Sequence, residues 1–167
     1  MTEKMQAKAY LLGNNIDTDQ IYPGRYLELT DPVEIASHCL EGADSTLSAR
    51  FEKGGIIAAG TNFGCGSSRE HAAIALSALG VSVVLAESFA RIFYRNGINL
   101  ALPLMVCPGI QTFMQDGDTL SVDLARGEVL NMRTGETLIA QKISDYAMDI
   151  LMSGGIKPLF RKRMGKE

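Results

Sequence analysis

The sequence predicts an α/β fold with mixed parallel and antiparallel strands and flanking helices. Two patterns support the fold class, and the chain length supports a single domain. Between residues 54 and 106, short apolar runs alternate with helical patterns, an order typical of parallel strands joined by right-handed crossovers. After residue 109, apolar and polar residues alternate between short turns, as in antiparallel hairpins. The chain has 167 residues, which suits one domain with a sizeable core. We therefore expect residues 1–167 to form a single domain.

The first predicted strand, Lys8–Leu12, leads into a long irregular stretch rich in Asn, Asp, Gly and Pro, residues 14–31. A loop of this length inside a compact domain is uncommon and tends to be functional. A helix should follow, capped by Thr30 or Asp31 and ending near Gly42.

The central part of the chain has the clearest pattern. Buried strands are predicted at Gly54–Gly60, Val81–Ala86 and Leu102–Val106, because these runs are apolar and bounded by turn residues. Helices are predicted between them at Ser67–Leu79 and Ser88–Arg95. Three alternating segments, "DTLSVDL", "EVLNMR" and "ETLIAQKI", then predict antiparallel strands, and a last helix is predicted at Ser144–Met152.

Composition excludes several classes of function. The formal net charge of −3 offers no basic face for nucleic acid, and the short basic tail at Phe160–Glu167 is typical of a solvated end. No apolar stretch has the length of a signal peptide or of a membrane span. Cys39, Cys65 and Cys107 form no C-x-x-C or zinc pattern, so no metal site is expected. We expect a reduced, cytoplasmic protein.

The most informative segment is "GTNFGCGSSREHAAIAL", Gly60–Leu76. It matches neither G-x-G-x-x-G nor a P-loop. Glycines allow the backbone to approach a ligand closely, and a helix N-terminus offers free N–H groups to an anion. Arg69 adds a guanidinium fork that suits a carboxylate. The segment therefore predicts a cradle for a carboxylate or a phosphate, with a serine hydroxyl directed at the ligand.

Two other interpretations of this segment stay open at this point. Ser67 and Glu70 have the spacing of a capping box, which would explain both residues structurally. Cys65 at a helix start, with His71 as its base, has the composition of a nucleophilic thiol site. A small buried cysteine that packs the loop is the simpler explanation of Cys65.

Three motifs in order, "NNIDTDQIYPGRYL", "GTNFGCGSSREHAAIAL" and "ESFARIFYRNGINLALP", closely resemble the small subunits of 3-isopropylmalate dehydratase, in the aconitase superfamily. The resemblance covers residues 12–108. It implies a swivel-type domain that closes over a 4Fe-4S cluster carried by a separate large subunit, with no cofactor on this chain, which lacks three cysteines at cluster-ligand spacing. It also implies a hydro-lyase, active only with its large subunit, that interconverts 2- and 3-isopropylmalate in leucine biosynthesis.

The resemblance assigns roles to individual residues. It makes Ser67 the base that moves the carbon-bound proton, and it makes Ser68 and Arg69 the ligands of a substrate carboxylate. The open iron of the cluster acts on the departing hydroxyl. Thr18 and Asp19 match an early loop near the active site and are expected to contact or position the substrate. The alternative is that the acidic residues of this loop only fix its turns.

A specificity loop follows, and it comprises Arg25, Tyr26, Leu27, Glu28 and Leu29. Relatives that act on tricarboxylic substrates place an arginine after the Tyr-Leu pair, whereas this chain has Glu28 there. Glu28 would repel a further carboxylate, and the leucines suit an alkyl group. An alkyl malate is therefore expected, with 2,3-dimethylmalate and citramalate as alternatives to isopropylmalate.

Two further expectations concern partners, and one alternative concerns the class of function. Arg91 and Arg95 are one helical turn apart and are interpreted as surface or intersubunit salt-bridge partners. The isolated chain is expected to self-associate through the surface meant for its partner. A non-catalytic anion-binding or assembly domain is the alternative from another class of function.

Overall fold

The computed structural model describes residues 2–165, and its strands form one sheet of seven in the order β4-β3-β2-β1-β5-β6-β7. The strands are β1 Lys4–Leu11, β2 Ile56–Ala59, β3 Val83–Ala86, β4 Leu104–Val106, β5 Thr119–Asp123, β6 Glu128–Asn131 and β7 Thr137–Ile139. The first four are mutually parallel and the last three are antiparallel to their neighbours. The predicted mixed α/β fold is confirmed.

Helices connect and flank these strands. They are α1 Thr18–Ile21, α2 Pro32–Ser37, α3 Leu47–Arg50, α4 Glu70–Leu79, α5 Arg91–Asn99, α6 Ile110–Phe113, α7 Asp145–Met152 and α8 Ile156–Arg163, with a 3₁₀ turn at Gly24–Tyr26. Within residues 2–165, no helix has both the length and the apolar character needed to cross a membrane.

Strand β1 joins the two halves of the sheet. Its first part, Lys4–Lys8, pairs antiparallel with β5, and its last part, Ala9–Leu11, pairs parallel with β2. The strand therefore begins four residues before the predicted start at Lys8. Its first half is only partly buried and carries three polar residues in five, which is why the apolar pattern alone missed it.

Burial explains why the two halves have different sequence patterns. Every residue of β2 and β3 is buried, as expected for parallel strands covered on both faces. Strands β5 and β6 alternate between buried and half-buried residues, as expected for strands with one wetter face. Helix α4 packs against both α2 and α5.

Several predicted helix boundaries were wrong, for reasons that involve distant segments. Helix α5 begins at Arg91 because Ser88 is occupied elsewhere: its carbonyl accepts the Phe63 N–H at 3.0 Å and its hydroxyl accepts the Asn62 N–H at 2.8 Å. Helix α2 ends at Ser37 rather than near Gly42. A Cβ on Gly42 would lie 2.8 Å from the Cα of Gln20, so this glycine permits a close approach.

Several short elements were not predicted from local patterns, among them α3 and α6. The stretch of residues 14–31 contains α1 and the 3₁₀ turn, so it is more regular than expected. Residues 156–163, part of which was interpreted as a solvated basic tail, form α8 with Leu159 buried.

Asp118 is the best-connected buried carboxylate of the described residues, and we predict that it controls stability at low pH. It accepts hydrogen bonds from Arg133 at 2.8 and 3.1 Å, from the Asn131 side chain at 3.0 Å and from the Gln115 N–H at 2.8 Å. The Arg133 guanidinium holds the pKa of the Asp118 carboxyl well below its usual range. Asp118→Asn is expected to lower the free energy of unfolding by about 2–3 kcal/mol at pH 7.

Urea unfolding at pH 7 and at lower pH checks this prediction. A carboxyl with a depressed pKa stabilises the fold above its unfolded pKa, and this contribution is lost as the pH falls below about 4. The wild-type chain should therefore lose stability over that range more steeply than Asp118→Asn. Asp149→Asn is a matched control, since Asp149 is exposed and has one ion pair at 3.7 Å. Equal effects of the two substitutions would contradict the prediction.

Candidate active site

Three loops meet at the carboxyl edge of the parallel strands. They are residues 12–17 after β1, residues 60–69 after β2 and residues 87–90 after β3. Parallel strands all end at the same edge of a sheet, and ligands of α/β proteins bind there. The predicted anion cradle lies in the middle loop of the three.

Backbone hydrogen bonds fix these loops to one another. The Gly64 N–H donates to the Ile16 carbonyl at 2.7 Å, and the Thr18 N–H donates to the Cys65 carbonyl at 2.8 Å. On the other side, the Phe63 carbonyl accepts from the Ala90 N–H at 2.9 Å. The cradle therefore has a defined position relative to α1 and α5.

Two glycines of the cradle are required by its geometry. Gly64 and Gly66 have φ values of +85° and +95°, in the left-handed region that favours glycine. A Cβ on Gly64 would overlap the ring of Phe93, and a Cβ on Gly66 would lie 3.4 Å from the hydroxyl oxygen of Thr18. The loop can pass between α1 and α5 only with glycine at these positions.

The loops enclose a cleft with a volume of about 470 Å³. Its polar lining comes from α1, from the loop of residues 60–69 and from α5: Thr18, Ser67, Ser68, Arg69, Arg91, Arg95 and Asn96. Among the residues of this lining there is no aspartate or glutamate. The cleft therefore has the electrostatic character of an anion site.

Ser67 and Arg69 are in direct contact in this cleft. Arg69 Nη2 donates to Ser67 Oγ at 3.1 Å. Helix α4 begins at Glu70 with Arg69 as its N-cap and without a side-chain cap, so the predicted helix start at Ser67 and the capping-box interpretation are wrong. The Ser67 hydroxyl is exposed and is available to a ligand.

The capping box of this region is formed instead by Asp17 and Gln20. The Gln20 N–H donates to Asp17 Oδ1 at 2.7 Å, and the Asp17 N–H donates to Gln20 Oε1 at 2.9 Å. Asp17 therefore fixes the start of α1, as the structural interpretation of this loop expected.

Thr18 and Asp19 have different environments. Thr18 is 3% exposed, and its hydroxyl oxygen has no hydrogen-bond partner among residues 2–165 although it lines the cleft. Asp19 Oδ1 lies 3.8 Å from Arg69 Nη1 and accepts from the Gly24 N–H at 2.9 Å. Thr18 is thus placed to contact a ligand, whereas Asp19 is placed to orient Arg69.

The specificity loop does not line the cleft. Arg25 Nη2 donates to Glu41 Oε2 at 2.9 Å, and the Tyr26 ring stacks on His38 with centroids 3.7 Å apart and an interplanar angle of 12°. Leu27 and Leu29 are half-buried against the core, and Glu28 is exposed. Selection of substrate by this loop stays a prediction.

The thiol-site interpretation of Cys65 has no geometric support. No hydrogen bond joins Cys65 and His71 in the described part of the chain, and the His71 ring lies parallel to Tyr22 with centroids 6.5 Å apart. Cys65 is half-buried and contributes its carbonyl to the loop contacts described above.

Arg91 and Arg95 line the cleft, a position that their sequence pattern did not predict. Neither forms a salt bridge with a carboxylate of residues 2–165. One sequence signal could have indicated this position: the two arginines are four residues apart at the start of a helix that follows a strand. A role as intersubunit salt-bridge partners stays a prediction.

The described residues do not fit an iron–sulfur cluster. Residues 2–165 contain no group of three or more His, Cys, Asp or Glu side chains that could hold a metal ion. Cys39 and Cys107 are buried, and burial raises the pKa of the Cys107 thiol to about 12. We therefore describe no reaction step on a cluster bound by residues 2–165.

Fold and cleft together define a mixed α/β protein with a serine–arginine anion site at the carboxyl edge of its parallel strands. The family model of the aconitase C-terminal domain matches residues 49–108. The 3-isopropylmalate dehydratase small subunit 1 of Methanopyrus kandleri is 51% identical over 97% of this chain and 95% of its own length. The isopropylmalate/citramalate isomerase small subunit of Methanocaldococcus jannaschii is 48% identical over 99% of each chain.

A solved structure agrees with these relatives. The crystal structure of 3-isopropylmalate dehydratase from Methanocaldococcus jannaschii superposes with a TM-score of 0.92 at 40% identity, covering 96% of this chain and 95% of that chain. The chain belongs to the family of 3-isopropylmalate dehydratase small subunits. The resemblance found in the sequence is thereby confirmed. The prediction of a hydro-lyase subunit is also confirmed, since the relatives are named as dehydratase subunits. Membership of this family fits a chain without a cofactor of its own.

Proposed function

We propose that this chain is the small subunit of a heteromeric hydro-lyase that interconverts 2-isopropylmalate and 3-isopropylmalate through isopropylmaleate, in leucine biosynthesis. The partner is a large subunit that carries a 4Fe-4S cluster, which would supply a Lewis acid for the departing hydroxyl group. The observation that carries the proposal is the contact between Ser67 and Arg69 in an anion-binding cleft, in a chain of this family.

Ser67 is the proposed base. A serine alkoxide is too high in free energy to form at neutral pH without stabilisation. Arg69 Nη2, at 3.1 Å from the hydroxyl oxygen, and the unpaired N–H groups at the start of α4 supply positive potential at this point. The alkoxide of Ser67 would take the proton from the carbon beside a carboxylate, as the hydroxyl leaves the neighbouring carbon.

Arg69, Ser68 and Thr18 are the proposed ligands of that carboxylate. All three line the cleft, and Arg69 Nη1 and the Thr18 hydroxyl are both buried without a hydrogen-bond partner among residues 2–165. A buried polar group without a partner is costly, so a carboxylate oxygen between them would satisfy both. Asp19 would hold the guanidinium in place from the opposite side.

The charge of the residues after Arg25 and the name of one relative support the substrate class. Glu28 is exposed, and the chain has no lysine or arginine between Arg25 and Arg50. A negative charge without a nearby cation disfavours a substrate that has a third carboxylate. One relative is named an isopropylmalate/citramalate isomerase small subunit, which favours citramalate as a second substrate. 2,3-Dimethylmalate is the remaining alternative, since an apolar pocket separates ligands that differ by one methylene by only about 1–3 kcal/mol.

We further propose that residues 1–167 act as a single domain in the cytoplasm. One continuous core includes residues of both halves of the sheet, such as Leu85 in β3 and Val129 in β6. The three cysteines are free, as expected for a reducing compartment.

A hydration assay tests the proposed function. The chain would be mixed anaerobically with its cognate large subunit and supplied with isopropylmaleate, dimethylmaleate, citraconate or homoaconitate. We expect the highest kcat/KM with isopropylmaleate and no activity with either chain alone. A preference for another alkyl maleate would keep the chemistry and change the substrate. An assembled complex with an intact cluster and no turnover of any of them would favour a non-catalytic anion-binding domain.

A further inference from the structure

The cleft contains a second group of cationic side chains that the proposed serine chemistry does not use. Arg91 and Arg95 are exposed, lie one turn apart on α5 and line the same cleft as Arg69. Neither forms a salt bridge with a carboxylate of residues 2–165, whereas Arg69 has Asp19 3.8 Å away. Both arginines therefore line the cleft without a salt bridge to the described chain.

The start of α5 adds backbone donors at the same place. The nine-residue helix has Ala90 as its N-cap, and alanine has no side-chain acceptor. The first N–H groups of a helix have no intrahelical acceptor, and they favour an anion together with the helix dipole. Residues 90–93 line the cleft, so these donors are at its wall. Helix α4 also begins without a side-chain cap, and its N-cap residue, Arg69, lines the same cleft.

The cleft that Arg91 and Arg95 line also contains an unsatisfied buried group, the Thr18 hydroxyl that is assigned above to the carboxylate beside Arg69. The Thr18 hydroxyl lines the cleft, its residue is 3% exposed, and it has no hydrogen-bond partner among residues 2–165. Buried hydroxyl groups in folded proteins are nearly always hydrogen-bonded. A bound anion with several acceptor oxygens would supply the missing partner.

One arginine fork holds one carboxylate, but an alkyl malate has two. Arg69 is restrained by its contacts with Ser67 and Asp19, and its guanidinium lies against Gly24, where a Cβ would be 3.1 Å from Nη1. It therefore serves a carboxylate on the α4 side of the cleft. Arg91 and Arg95 line the same cleft from a different element, α5, and are not engaged by Ser67 or Asp19, so they are available to a second carboxylate of the same molecule.

We propose that Arg91, Arg95 and the start of α5 form a second carboxylate subsite, so that this chain binds both carboxylates of a dicarboxylate substrate. This inference rests on the proposed function for the identity of the ligand. It makes Arg91 and Arg95 substrate-binding residues in place of the intersubunit salt-bridge partners that their sequence suggests.

Inhibition of the reconstituted enzyme by isopropylsuccinate, which keeps both carboxylates and lacks the hydroxyl, tests the subsite. We expect Arg91→Gln with Arg95→Gln to raise the inhibition constant by about 10- to 100-fold, the loss expected for charge-assisted hydrogen bonds. Arg161→Gln is the matched control, because Arg161 is exposed on α8 and does not line the cleft. The concentration of large subunit that gives half-maximal activity should be the same for all three proteins.

Two results would overturn the subsite. One is an unchanged inhibition constant in the double variant. The other is a double variant that needs more large subunit for half-maximal activity but has a normal inhibition constant once assembled, since the arginines would then be docking residues.

A measurement on the full chain alone separates this inference from the proposed function. During titration of the ¹⁵N-labelled chain with isopropylsuccinate, we expect the amide signals of Glu70, at the start of α4, and of Ile92 and Phe93, at the start of α5, to shift together. Shifts confined to α4 would contradict the second subsite. Shifts at both helices, with no turnover of any alkyl malate by the complex, would contradict the proposed function and retain the subsite.

Discussion

Replacing Ser67 with alanine is expected to lower kcat of the reconstituted enzyme by about 10²- to 10⁴-fold, the usual contribution of a positioned general base. The effect should fall on kcat, because the Ser67 hydroxyl is the proposed base for the carbon-bound proton. Arg69 remains free to hold the carboxylate, so KM should change little. Steady-state hydration of isopropylmaleate at saturating large subunit measures both constants.

Ser68→Ala is the matched control for this prediction. Ser67 and Ser68 are adjacent and exposed, and both line the cleft, but only Ser67 contacts Arg69. Ser68 is a proposed carboxylate ligand, so its replacement should raise KM and leave most of kcat. A larger loss of kcat in Ser68→Ala than in Ser67→Ala would show that the base is Ser68 and not Ser67.

Replacing Arg69 with lysine is expected to lower kcat/KM by about 10²- to 10³-fold, as for loss of a donor that stabilises developing charge. Lysine keeps the positive charge but lacks the planar fork, so it cannot contact Ser67, Asp19 and a carboxylate in one geometry. Because Arg69 is proposed to serve both the base and the substrate, kcat should fall and KM should rise. Steady-state kinetics with isopropylmaleate separates the two effects.

The control for this second prediction is Arg161→Lys, which makes the same arginine-to-lysine replacement on the exposed surface of α8. It should leave both constants unchanged. An Arg69→Lys enzyme with wild-type kcat/KM would show that the charge of Arg69 is sufficient and that its fork is not used.

Much of the site was predictable because its signals are local. The glycines of the cradle, the paired serines and Arg69 stand together in the sequence, and each is explained by the chemistry of an anion site. The prediction of an α/β fold also came from local patterns, since the fully apolar β2 and β3 differ visibly from the alternating β5 and β6.

The errors concern features that are fixed by contacts between distant segments. Helix α4 starts at Glu70, three residues after the predicted start at Ser67, and the Thr18 N–H donates to the Cys65 carbonyl within the loop that precedes it. No local pattern shows a hydrogen bond across 47 residues. Arg95 was interpreted as a surface residue for the same reason: the packing of α5 against α4, and not the sequence of α5, places it in the cleft.

The specificity loop shows a related limit of local interpretation. Its residues were assigned to the pocket from the resemblance, but Arg25 is bonded to Glu41 and Tyr26 is stacked on His38, both of which follow α2. These partners lie 12 or more residues away in the sequence. Any movement of the loop toward a substrate would have to break these two contacts.

The central claim is that this chain supplies Ser67 as the base that moves the carbon-bound proton of the substrate. Incorporation of deuterium from deuterium oxide into isopropylmalate, catalysed by the assembled complex, measures that step directly. We predict rapid incorporation with the wild-type chain and a loss of about 10²- to 10⁴-fold with Ser67→Ala, at equal cluster content and equal complex formation. Incorporation at the wild-type rate by the Ser67→Ala complex would show that another group moves the proton.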